Sequence, residues 1–211
     1  NCPNPLQLAM PTFPQPLTGF HPMTVTANIR PLSVGDYHQM VAAGILAPDE
    51  RVELIEGQLF QMAAKGTLHS AAMTRIKRSL EPRLANRALV RYQDPIQLNE
   101  TSEPAPDVAV VRADPWDYER HHPTPEDVYW IVEVADRSLT RDRDLKALVY
   151  GRSGIREYWI LDVCDRRLFV FRHPSDTGYR EERVLSESER IAPLAFEDCE
   201  MAIADWLNPS I

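Results

Sequence analysis

The sequence predicts an α/β fold, a sheet covered by helices on both sides. Three observations carry this. Predicted helices and strands alternate along the chain, and the central strands are apolar on both faces, the mark of a sheet buried from both sides. The third is the run WIVEVADRS, Trp130 to Ser138, where Trp130, Val132 and Val134 point one way and Ile131, Glu133 and Ala135 the other. A carboxylate on such a strand costs several kcal/mol unless a metal, a cation or hydrogen bonds meet it.

In chain order, SVGDYHQMVAA (33–43) has a Ser cap and apolar spacing at Val34, Tyr37, Met40 and Val41, which predicts a short helix ending near Gly44. RVELIEGQLFQM reads as a strand. Over residues 67–86, Ala72, Ile76, Leu80 and Leu84 form one stripe, predicting a long helix with Pro82 as a possible kink. Strands are expected at 89–98, 107–111 and 128–134. A second helix is expected at 139–152, stopping before Gly154. EYWILD, RLFVFR and YREERVL read as three successive strands, the first two joined by the tight VCDR turn, and the segment 201–207 as one helical turn.

The chain has 211 residues, 44% hydrophobic and 26% charged. That is ordinary for a globular protein and favours neither disorder nor a membrane protein. The first 22 residues contain no Asp, Glu, Lys or Arg and carry six of the 18 prolines, so residues 1–22 are expected to be a disordered or extraneous upstream extension and 23–211 one domain. The net charge of −8 argues against a strongly basic coat that binds nucleic acid nonspecifically, though not against a local basic surface around an acidic, cation-binding centre. Cys2, Cys164 and Cys199 are an odd count without CxxC spacing, which suits a reduced, cytoplasmic setting and not a structural zinc site. Walker, dinucleotide-binding, GxSxG and HExxH motifs are absent.

Two strands each carry one acid at a notable place. In APDVAVV, Asp107 follows Pro106 at the start of an apolar strand, and Glu133 lies near the end of the next. Neighbouring strands can bring both to one end of the sheet, where two carboxylates, a backbone carbonyl and waters suffice for Mg²⁺. The competing readings are a strand-opening turn for Asp107 and a buried ion pair with an arginine for Glu133. On the following helix, Asp142, Lys146 and Tyr150 stand at i, i+4 and i+8 and share a face. The pair His121 and His122 lies in a Pro-rich loop, without Cys or His partners at ligand spacing, and reads as surface.

These residues resemble a family. PD at 106–107, the acid at Glu133, then a helix and the GIREYWILD strand, are similar to the PD-(D/E)XK nuclease superfamily, and more narrowly to its bacterial branch named "putative restriction endonucleases". The likeness runs from about residue 32 to 207 and includes ELIEG at 53–57 and His69 early in the first long helix. It implies a restriction-endonuclease-like fold, a central mixed sheet flanked by helices with an antiparallel C-terminal meander. It also implies Mg²⁺- or Mn²⁺-dependent hydrolysis of DNA, with Asp107, Glu133 and the Val134 carbonyl as metal ligands and Lys146, Glu53 and His69 as further site residues, commonly in a homodimer. One departure stands out. The lysine expected two residues beyond the acid is Ala135 here, and Lys146 fits the place to which that branch moves it. Rival expectations are a nuclease fold that only binds a protein or nucleic acid, and a phosphohydrolase acting on small esters.

Overall fold

The computed structural model describes residues 30–47 and 49–208, so the expectation for residues 1–22 lies outside the described residues. Helix α1 (Val34–Ala42) opens on Ser33, whose side chain accepts from the Asp36 N–H while Asp36 reaches back to the Ser33 N–H, a reciprocal cap. The stretch read as one strand is a hairpin, β1 (Val52–Ile55) against β2 (Gln58–Gln61), in a two-stranded sheet of its own. Its turn is Glu56-Gly57, with φ of 48° and 74°. Two successive positive φ values make the tight turn whose twist suits a hairpin.

Helix α2 (Thr67–Leu84) follows, with Pro82 in its last turns, and buries the predicted stripe of Ala72, Ile76, Leu80 and Leu84. The strand expected over 89–98 is only β3 (Leu89–Arg91); Gln93, at φ 58°, turns the chain out of the sheet. Next come β4 (Val108–Val111) and β5 (Val128–Ala135). The helix expected over 139–152 is helical throughout but not α throughout: α3 (Leu139–Arg141) runs through a π turn (Asp142–Lys146) into α4 (Ala147–Arg152). Strands β6 (Glu157–Asp162), β7 (Arg167–Ser175) and β8 (Gly178–Ser186) form the predicted antiparallel meander. Strands β9 (Arg190–Ile191) and β10 (Met201–Ala202) pair with each other, and a 3₁₀ turn (Ile203–Trp206) closes the described chain.

The main sheet has the order β3-β4-β5-β6-β7-β8, mixed because β5 and β6 are parallel and the other neighbours antiparallel. Its two faces build two cores. Trp130, Val132 and Val134 pack with Trp159 and Leu161 under the α2 stripe, and Phe196, Ile203 and Trp206 complete that layer. Ile131, Ala135, Tyr158 and Ile160 face Ala147, Val149 and Tyr150 of α4. Each fully buried large side chain contributes about 1.5–3 kcal/mol relative to exposure. Glu133 therefore lies on the α4 side, as the alternation along β5 requires.

Two close approaches fix the helix and the hairpin. A Cβ on Gly151 of α4 would stand 2.5 Å from the carbonyl carbon of Gly178, so the helix meets the β7–β8 turn backbone to backbone. A Cβ on Gly57 would stand 2.3 Å from the Pro31 Cβ. The hairpin is tied down further by the Glu103 N–H on the Leu54 carbonyl (2.7 Å) and the Gly57 N–H on the Thr101 carbonyl (2.7 Å). It is thus held against the segment that leads into Asp107.

Candidate active site

The register of β4 on β5 pairs Val108 with Val132, which sets Asp107 and Glu133 beside each other at one end of the sheet. Two hydrogen bonds stitch them together. The Asp107 N–H donates to Glu133 Oε2 (3.2 Å), and the Val134 N–H donates to Asp107 Oδ2 (2.9 Å). His69, in the first turn of α2, places Nε2 3.0 Å from Asp107 Oδ2, and Gln93 Nε2 donates to Asp107 Oδ1 (2.9 Å). Burial pushes the Asp107 carboxyl up, but the hydrogen bond and charge of His69, with Gln93 and the Val134 N–H, outweigh it and hold the group at about 2.

Lys146 reaches back from the π turn to Glu133. Its Nζ lies 2.9 Å from Glu133 Oε1 and 3.1 Å from Glu53 Oε2, and the Tyr150 hydroxyl donates to the same Glu133 oxygen (3.2 Å). Glu53 comes from β1, where the Ala105 N–H also donates to its Oε2 (3.3 Å). Its Oε1 is buried and has no hydrogen-bond partner among the described residues. Glu53, Glu133, Asp142 and Lys146 are each 3% exposed or less. Burial pulls the Lys146 ammonium down, yet Glu133, Glu53 and Asp142 outweigh it, and it stays protonated above the ordinary lysine range. Burial pushes Glu133 well above the usual carboxylate range, and Asp107, Asp142 and Glu53 add to this against the pull of Lys146.

The structure thus brings together all five of the expected side chains, Glu53, His69, Asp107, Glu133 and Lys146, and the backbone of Val134. Sequence reasoning passed over Gln93, which sits just past a short edge strand and becomes visible only once β3 is laid against β4. It also gave no role to four cations that line the same cavity, of about 270 Å³: Arg51, Lys65, Arg137 and Arg141. In an acidic chain these are a local basic surface. Lys65 is hydrogen-bonded to Gln93. Asp142, held by the Ser138 hydroxyl and lining the cavity, adds a further acid.

The donor set suits a hard divalent ion. Such ions take carboxylate oxygens, a carbonyl and waters, and Asp107, Glu133 and the Val134 carbonyl are of that kind. Four carboxyls, Glu53, Asp107, Glu133 and Asp142, surround one ammonium and one imidazole, and the buried Glu53 Oε1 has no partner among the described residues.

A family model described as "Putative restriction endonuclease", Uma2, matches residues 34–204. The chain belongs to the Uma2 family. The match runs from the start of α1 into the last 3₁₀ turn. A solved structure titled as a putative nuclease belonging to DUF820, from Anabaena variabilis ATCC 29413, superposes with a TM-score of 0.62 at 16% identity, covering 83% of this chain and 97% of that one. The Uma2 chain thus shares the fold of that protein. No curated protein matches it. Among the described residues no helix is long and apolar enough to cross a membrane.

One expectation needs correction. His122 is not simple loop surface: it lies half-buried next to His38 of α1 and the buried Glu103. Spacing along the chain hid this, because the three residues come from three separate segments.

Proposed function

We propose that this protein is a metal-dependent endonuclease that hydrolyses DNA phosphodiester bonds, leaving 5′-phosphate ends. The observation that carries the reading is the convergence of Asp107, Glu133 and Lys146 on one cavity rimmed by Arg51, Lys65, Arg137 and Arg141. Membership of the Uma2 family supports it.

Asp107, Glu133 and the Val134 carbonyl would hold Mg²⁺ or Mn²⁺. When bound, the ion would supply polarisation of a phosphoryl oxygen and a more acidic water as nucleophile. His69 and Gln93 fix the Asp107 carboxylate, and Tyr150 fixes Glu133. Lys146, protonated and clamped between Glu133 and Glu53, acts by charge, offsetting negative charge that builds on the phosphate during in-line displacement, and not by taking a proton. The four rim cations would neutralise flanking backbone phosphates, which position the substrate without reading its sequence. The expected working form is a cytoplasmic homodimer, two such sites acting on opposite strands.

The test is nicking of supercoiled plasmid by purified protein in Mg²⁺ or Mn²⁺, with light scattering to give the oligomer. Nicking that disappears with chelator and in Asp107→Ala and Glu133→Ala supports the reading. Nicking that survives both substitutions overturns the site. Turnover of a chromogenic phosphodiester with no cleavage of DNA would move the substrate class to small esters.

A further inference from the structure

We propose a second metal site in this protein, formed by His38, Glu103 and His122, that takes a borderline divalent ion of the Zn²⁺ class. It is separate from the Asp107–Glu133 cavity, whose lining includes none of the three. One ligand atom from each of the three residues lies within 4.8 Å of the others. His38 Nε2 is already 2.8 Å from Glu103 Oε1, and the two imidazole rings are 6.5 Å apart, inclined at 71°.

Two further observations point to a ligand and not to a simple ion pair. Glu103 is 3% exposed, and its second oxygen, Oε2, is buried without a hydrogen-bond partner among the described residues. The Nδ1 of His122 is likewise buried and unpartnered. A buried carboxylate oxygen and a buried ring nitrogen each cost free energy when left unmet, and they belong to one cluster. A cation answers both at once.

The chemistry selects the ion. Two imidazoles and one carboxylate suit Zn²⁺, Co²⁺ or Ni²⁺, whereas Mg²⁺ prefers oxygen alone, as in the other cavity. With ligand bonds of about 2.0–2.1 Å, small side-chain rotations bring the three donors to a common centre and leave a fourth position open to water. The backbone around the cluster is anchored: the Glu103 N–H bonds to the Leu54 carbonyl, and the Gln97 N–H bonds to the carbonyl of Pro123, next to His122. An ion there would join α1, the segment entering β4, and the β4–β5 connection.

The experiment is titration of the full chain with Co²⁺, read by visible absorption, and with Zn²⁺ by calorimetry, both in excess Mg²⁺ to occupy oxygen-only sites. The expected result is one saturable equivalent whose affinity falls roughly tenfold or more in His38→Ala and in His122→Ala. Both side chains are at least partly exposed, so these variants should fold, with circular dichroism as the check. Glu103→Gln is the second probe, keeping the shape while weakening the ligand. Absence of saturable binding overturns the proposal. So does binding that persists unchanged in both histidine variants, or that is lost instead in Glu133→Gln. None of these outcomes depends on whether the protein cuts DNA.

Discussion

Lys146 meets two buried carboxylates at 2.9 and 3.1 Å, and those contacts are worth most when considered by what removal leaves behind. Lys146→Ala would strand Glu133 and Glu53 without their cation, a change that costs about 3–5 kcal/mol for a buried pair. Denaturant unfolding should show a drop of that size, smaller when Lys146→Met is combined with Glu133→Gln and Glu53→Gln, because then neither carboxylate is left without its cation. Asp107 gives a pH signature. Its folded value of about 2 lies below the ordinary 3.8, so it stabilises the fold above pH 3.8 and loses that contribution as pH falls toward 2. The difference is worth about 2 kcal/mol. Urea midpoints at pH 6 and pH 2.5 should diverge less in Asp107→Asn than in wild type, and His69→Ala should narrow the gap as well. At this scale much could be read from the chain: PD and an acid in an apolar strand single out Asp107 and Glu133, with a strand-opening turn and a buried ion pair as the competing readings. Gln93 could not be, since an amide past a strand end has no pattern.

Elements set the aim of these side chains. Helix α4 rests on the β7–β8 turn through Gly151, where any Cβ meets the Gly178 backbone, which has no rotamer by which to move aside. Gly151→Ala should therefore cost about 1–3 kcal/mol by overpacking despite the better helix propensity of alanine, whereas Gly154→Ala, at φ 83° with open space around it, should cost only about 1 kcal/mol. Thermal melts of the two variants side by side separate the effects. The periodicities that predict α2, β4, β5 and the meander come from burial, and burial decided those elements. Where local geometry decided instead, the pattern is silent. Glu56-Gly57 splits one apparent strand into a hairpin, and the π turn at 142–146 looks like plain helix because the apolar positions continue on either side of it.

At the scale of the molecule, a chain of net charge −8 has gathered four cations around an acidic cavity. Binding of DNA to Glu133→Gln should weaken steeply with salt, and removing a rim cation, as in Arg141→Ala, should lower the slope of log K against log salt by about one unit while weakening all sequences alike. A fluorescence anisotropy series across salt concentrations measures this. Mn²⁺ at about 100-fold over its Kd should stabilise the wild type by about 2.7 kcal/mol, which raises Tm by several degrees in a chain of this size, and should leave Asp107→Ala unmoved. The basic rim was not legible beforehand because Arg51, Lys65 and Arg137 come from three separate connections and Arg141 from α3, which only the fold brings together.

The acid Glu133 and its lysine are 13 residues apart along the chain and 2.9 Å apart in space. A pattern of fixed letters and gaps discards this sequence at Ala135, as a nuclease that has lost its lysine. A template of two carboxylates and an ammonium, defined by separations in ångströms, keeps it. Chains with a small residue at this strand position are therefore better sorted by whether the next helix returns a cation to the acid than by the residue that the strand itself carries.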